Sequence, residues 1–353
     1  MTNTKLSSKS ATRLFINLIC NKLFILAPLY FKQCSGGAAL TVTTLVFACS
    51  FILWNLYCKH CTASITNYIN IRFLKYCFVS LIVVIITLII SATIRQYSIS
   101  LKSSVLKETP FWIITTFFII STISGYGCSL KSIGYAGILF VPIIYVVALI
   151  LVLLSVKNQN IYNFFPIIDT QNNEVLKNII VMFSMQFELI LLYFLPDLLD
   201  NPEHTQKTGN TTIFCSFICF LIISIVYSLN LPEANANIKE PFFRIIRLTH
   251  IGNSTTNFDS VFLILYCISA YIYLSTLLSY TIEILNLTFN KKISLYCRYV
   301  ILAIIIVSSL NSFLGDYIFE LFSKNTAILF VTTFILPQLF LLMDKVKKCR
   351  LKN

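Results

Sequence analysis

The chain has 353 residues, 57% of them hydrophobic and only 12% charged, which excludes a soluble globular protein and indicates a polytopic membrane protein. Long apolar runs recur from end to end and leave no stretch for a separate soluble domain, so one membrane domain over 1–353 is expected. The net charge of +13 is read as topology signal and contact with anionic lipid, not as nucleic-acid binding.

In chain order, ten spans are predicted near 14–31, 38–57, 74–94, 111–127, 135–156, 179–195, 212–229, 261–285, 299–314 and 326–343. Runs of this length without strict alternation are helices, since only helices or closed barrels satisfy the backbone in lipid. The expected fold is therefore all-α. The N-terminus lacks a signal-peptide layout with a small-residue cleavage site, so the first segment is expected to stay as a span. The fourth, sixth and ninth spans are near the short limit, the length at which the broken helices of transporters are found.

If the N-terminus is cytoplasmic, the inner segments carry sixteen Lys and Arg and the outer ones ten, with Lys22 inside the first span. Both termini are thus predicted to be cytoplasmic. Most cysteines, among them Cys20, Cys49, Cys77, Cys215, Cys219 and Cys267, fall inside spans as small apolar fillers. "CKHC", from Cys58 to Cys61, has metal-type spacing, but no second pair follows to complete four ligands. No metal or cofactor is expected. The histidines His60, His204 and His250 lie in loops or at loop edges, and no nucleophile, base and orienting group can be grouped. Enzymatic chemistry is not expected.

Two spans carry deep polar residues. In the first, "LICNKLFILAPLYF", Asn21 and Lys22 interrupt the apolar run ahead of Pro28, which removes a backbone donor and crowds the preceding turn. The helix either opens there or is only kinked. Lys22 is either an anchor snorkelling along its aliphatic stem or the ion-pair partner of a carboxylate. In the sixth, "SMQFELILLYF", Glu188 lies too deep to snorkel, with Gln186 as a polar neighbour. An uncompensated charge at that depth costs at least ~2.5–3.5 kcal/mol, so Glu188 is either a functional group or a structural hydrogen-bonded or protonated glutamate. Spans one and six open the two groups of five. Transporters built from inverted five-helix repeats hold substrate at the midplane beside discontinuous helices in those corresponding positions. Free N–H groups at half-helix N-termini suit a carboxylate, and carbonyls or an acidic side chain suit an amine, so an amino acid would fit. The candidate ligand-binding residues are Asn21, Lys22, Pro28, Gln186 and Glu188. The segment before span eight places Phe242, Phe243, Ile245, Ile246 and Leu248 on a broad apolar face with Arg244 and Arg247 on another. It reads as an outer interfacial helix or as a lid over the site, with Arg244, Arg247 and Asp259 as candidate gating residues.

Residues 106–168 resemble the middle of the B-subunit family of spore germination receptors, the amino-acid-permease-like integral subunits. Thr109 and Pro110 open the fourth span, Gly127, Ile133, Ala136 and Pro142 lead into and through the fifth, and Asn163 and Pro166 follow it. Residues 239–285 are similar to a second family stretch, with Pro241, Arg247, Ile251, Gly252 and Phe258 in register. Pro28 with Gly36 or Gly37 match in the first span. The chain departs from the pattern where Tyr135 and Gly137 replace a basic residue, where Thr256 or Asn257 and Asp259 replace an arginine and a glutamate, and where Tyr266 replaces a tryptophan. Asn21 and Phe187 stand where glycines are expected beside the breaks. The resemblance implies a 5+5 inverted-repeat permease-like fold and a germinant receptor subunit of the spore inner membrane. It also implies that the protein binds an amino acid or similar small molecule and works with an A-type and a lipoprotein C-type subunit. The alternative is a secondary transporter for an amino acid or other small solute.

Overall fold

The computed structural model describes residues 5–25, 37–60, 63–69, 71–154, 172–230 and 259–350. Among them the chain is helical, with one parallel bridge between Leu6 and Leu199. Helix α1, Ser8–Cys20, starts at Ser7, whose hydroxyl accepts from the Ser10 N–H and satisfies one of the free amides of the first turn. After a turn at Asn21, α2 runs Lys22–Ile25. Then follow α3 (Gly37–His60), α4 (Arg72–Ser104), α5 (Phe111–Gly127) and α6 (Leu130–Leu154). Helix α7 (Asn172–Met185) gives way to a 3-10 segment, Phe187–Phe194, and the short α8, Leu195–Leu198. The rest is α9 (Thr205–Asn230), α10 (Asp259–Thr288), α11 (Lys291–Leu310), α12 (Ser312–Lys324), α13 (Thr326–Phe330) and α14 (Leu336–Arg350). The last two are joined by a π turn, Val331–Ile335. Pro337 has no N–H to give the Thr333 carbonyl, and the preceding turn widens so that the Leu336 amide reaches Val331 instead.

Among the described residues, seven helices are long and apolar enough to cross a membrane, or eight when the bent pair 177–185 and 187–198 counts as one span. Helix α5 is apolar but only 17 residues long. The protein is thus an all-α, multi-pass membrane protein. Helices α4 and α10 form the interior, with 67% of their apolar windows buried, whereas α11, at 28%, faces lipid. Helix α1 lies among α6, α9 and α10. Its approach to α6 depends on small residues: a Cβ on Gly134 would lie 1.9 Å from Ser10 Oγ, and one on Gly137 2.7 Å from Leu14 Cδ2.

Several boundaries differ from the sequence reading. The third span was expected over 74–94 with Arg95 in the following loop; α4 instead continues through 33 residues to Ser104. At 1.5 Å per residue it measures roughly 50 Å, well beyond a ~30 Å hydrocarbon layer. Arg95 is buried at 6% exposure and forks onto Asp316, Nε to Oδ1 at 2.5 Å and Nη2 to Oδ2 at 2.7 Å. A paired guanidinium no longer interrupts the helix. The ninth span ends at Leu310, short of the expected 314, because Asn311 caps a new helix by accepting from the Leu314 amide. The segment after it, expected as a loop, is the amphipathic α12, whose Phe313 and Tyr317 are exposed while Asp316 reaches back to α4.

Candidate functional site

The two spans with deep polar residues are the two that break. In span one the Asn21 amide still bonds to the Asn17 carbonyl at 2.9 Å, but the next turn tightens, with Phe24 N–H reaching Asn21 O at 3.1 Å. Asn21 keeps right-handed helical angles, φ −60° and ψ −29°, so this break needs no glycine. In span six the discontinuity is larger. Gln186, at φ −95° and ψ 30°, ends α7, and the two halves meet at a bend of 51°. The chain continues as a 3-10 segment, two of whose carbonyls accept from tyrosine hydroxyls. Tyr280 donates to Leu191 O at 3.0 Å, and Tyr57 reaches Tyr193 O at 3.1 Å.

Each break holds the partner of the other. Lys22 Nζ lies 2.6 Å from Glu188 Oε2, with the two side chains 9% and 1% exposed. The approach is an ion-pair contact outside hydrogen-bond geometry, since Oε2 has no aligned donor. The ammonium's hydrogen bond goes to the Met185 carbonyl at 2.5 Å, the last of α7 before the break. Tyr273, on α10, donates to Glu188 Oε1 at 2.7 Å. Lys22 is therefore an ion-pair partner and not a snorkelling anchor.

Gln186 completes the break. Its side chain is 1% exposed, and neither amide atom has a hydrogen-bond partner. An unmet buried amide costs on the order of 1–3 kcal/mol, and native folds rarely leave both ends of one unmatched without a functional reason.

Asn21 belongs to a separate polar knot on the other side of the turn. Its Nδ2 donates to Tyr97 OH, and its Oδ1 lies 2.8 Å from the Ser269 hydroxyl. Asn17 shares that hydroxyl at 2.8 Å, accepts from Tyr145 OH at 3.1 Å and donates to the Ser269 carbonyl at 3.1 Å. Aromatic rings enclose this turn. Phe24 stacks on Tyr145 with centroids 5.9 Å apart and meets Phe262 edge-on at 5.8 Å, while Tyr97 meets Tyr266 at 4.9 Å. Tyr266 is part of this aromatic wall, against both Phe24 and Tyr97.

The structure thus brings Lys22, Gln186 and Glu188 together and places Asn21 one turn away, tied to α4 and α10. Pro28, Arg244 and Arg247 lie outside the described residues; Asp259 is the first residue of α10, and its side chain is outside them as well. Sequence reading missed Asn17, Tyr97, Ser269 and Tyr273. Single hydroxyls and amides are tolerated in apolar spans, and Tyr97 fell beyond the expected end of span three. Cys58 and His60 end α3 while Cys61 lies outside the described residues, and among the latter no cluster of three metal-ligating side chains occurs.

The chain matches the family described as "Spore germination protein" over residues 39–314. That region includes Gln186, Glu188, Ser269 and Tyr273 and starts after Asn21 and Lys22. No curated protein matches it. With the family covering most of the chain and the helices crossing the membrane repeatedly, the protein belongs to the spore germination protein family as a multi-pass, permease-like membrane protein.

Proposed function

We propose that this protein is a germinant receptor subunit that binds an amino acid or a similar small zwitterion between the broken spans one and six. The observation that carries the reading is the Lys22–Glu188 pair with the unpartnered Gln186 amide beside it. An ammonium and a carboxylate held face to face are the two charged ends of an amino acid. A zwitterion entering the break exchanges one pair for two: its carboxylate takes Lys22 and its ammonium takes Glu188, with no net charge brought in. Gln186 supplies a donor and an acceptor. The aromatic wall of Phe24, Tyr145, Tyr97 and Tyr266 would take an apolar side chain.

In this reading the ten expected spans form two five-helix repeats, of which α1–α2 and α7 with its 3-10 segment are the matching first members. The termini face the cytoplasm, the membrane is the spore inner membrane, and Arg244, Arg247 and Asp259 are the candidate gating residues. No chemistry is performed on the ligand. Its occupancy biases a two-state bundle, and A-type and lipoprotein C-type subunits read the change. The permease-like family and the broken-helix architecture also favour a second reading, a secondary transporter for the same class of solute.

A deletion strain complemented with wild type or Glu188→Gln, exposed to a panel of amino acids and nucleosides, tests the proposal. The receptor reading expects one germinant response to be lost on deletion and on Glu188→Gln while solute uptake is unchanged. Accumulation of that solute by proteoliposomes containing the protein alone would instead establish the transporter. A normal response of Glu188→Gln at every concentration removes the site.

A further inference from the structure

A second site lies where α1 and α9 both begin. A cavity of about 580 Å³ there is walled by Lys9, Arg13, His204 and Lys207, with no carboxylate in its lining among the described residues. The arrangement breaks local rules twice. Lys9 and Arg13 stand four apart on α1, a like-charge pair that destabilises a helix. Lys207 sits in the first turn of α9, where the helix dipole disfavours a cation. Both costs fall in one cavity; Glu203, one turn before Lys207, is not among its walls, and an anion between the helices would relieve both costs at once. The two N-termini are held together by a hydrogen bond between the Ser8 and Thr208 hydroxyls at 2.7 Å.

The shape identifies the anion. From its basic mouth the cavity passes down to Ile16, Ile138 and Cys215. Ser8 to Ile16 is about two turns, so the basic mouth and the apolar floor are separated by ~12 Å along α1. Ile138 is 37% exposed on the lipid-facing side of α6, next to the more exposed Leu139 at 60%. A free inorganic ion has no use for an apolar floor open to lipid. A phospholipid has, with its phosphate at the cations and the start of its acyl chains below. We propose that this trough is a binding site for the phosphate group of an anionic glycerophospholipid.

The test is native mass spectrometry of the purified full chain, counting phosphatidylglycerol retained from mixed phosphatidylglycerol and phosphatidylcholine micelles. Each cation near a membrane surface contributes about fivefold to anionic-lipid binding, so Arg13→Gln with Lys207→Gln should weaken retention about 25-fold. Lys102→Gln with Lys107→Gln removes the same charge elsewhere and should leave retention unchanged. If the double variant folds poorly, Lys207→Gln alone should show the fivefold loss. Equal loss in the control pair, no loss in the trough variants, or displacement of the lipid by 10 mM inorganic phosphate would each overturn the assignment.

Discussion

Removing Glu188 and Lys22 singly and together tests whether the two breaks are held by one interaction. Between full charges 2.6 Å apart, the attraction is about 6 kcal/mol at an effective dielectric of ~20, most of it offset by the cost of burying both ions. Glu188→Gln leaves a buried ammonium whose remaining acceptor is the Met185 carbonyl at 2.5 Å. With that carbonyl still in place, the expected loss is about 3 kcal/mol, the low end for an orphaned partner of a buried pair. Lys22→Met leaves the carboxylate with only the Tyr273 hydroxyl and is expected to cost a similar amount. The double variant removes both charges, so the singles should exceed it in sum by about 2–3 kcal/mol. Denaturation in mixed micelles, followed by the fluorescence of Trp54 and Trp112, measures all three. Additivity within about 0.5 kcal/mol would mean the pair does not couple the breaks, and the reasoning fails.

Tyr273→Phe removes the hydrogen bond to Glu188 Oε1, and a loss of about 1.5–3 kcal/mol is expected in the same assay, falling toward zero in the Glu188→Leu background. Gly209→Ala should destabilise by about 1–3 kcal/mol, because its Cβ would lie 2.2 Å from the ring of Trp54, which is buried and cannot yield. Gly137→Ala meets only the end of Leu14, which can rotate, so a smaller shift in the thermal midpoint is expected. Asp316→Asn should cost more than Arg95→Met, since it leaves the guanidinium buried, whereas the reverse change leaves an aspartate already 59% exposed in its side chain.

Spans could be read from the sequence because hydrocarbon demands long apolar helices. The breaks could be read because a charge at depth needs a reason. Glu188 and Lys22 stood out on that ground alone, and the structure places them in contact. The residues that hydrogen-bond to the breaks were hidden. Tyr273, Ser269 and Asn17 are residues that an apolar helix carries without penalty when their own partners lie on another helix, and such pairings span some 250 positions of chain, as from Asn17 to Ser269. Arg95 misled because a charge was taken to end a span; Asp316, from the short amphipathic α12, pairs with it from the edge of the fold. The glycines expected at the breaks were not needed, because Asn21 bends within the ordinary helical region and Phe187 opens a 3-10 helix.

The central claim is that a zwitterion is recognised by the charges of Lys22 and Glu188. Its most direct test is equilibrium titration of the purified protein in lipid nanodiscs with the amino acid whose response is lost in the deletion strain of the germination panel. Binding should weaken at least a hundredfold in Glu188→Gln while Arg95→Lys binds as wild type does. Equal affinity of Glu188→Gln and wild type for that ligand would contradict the claim.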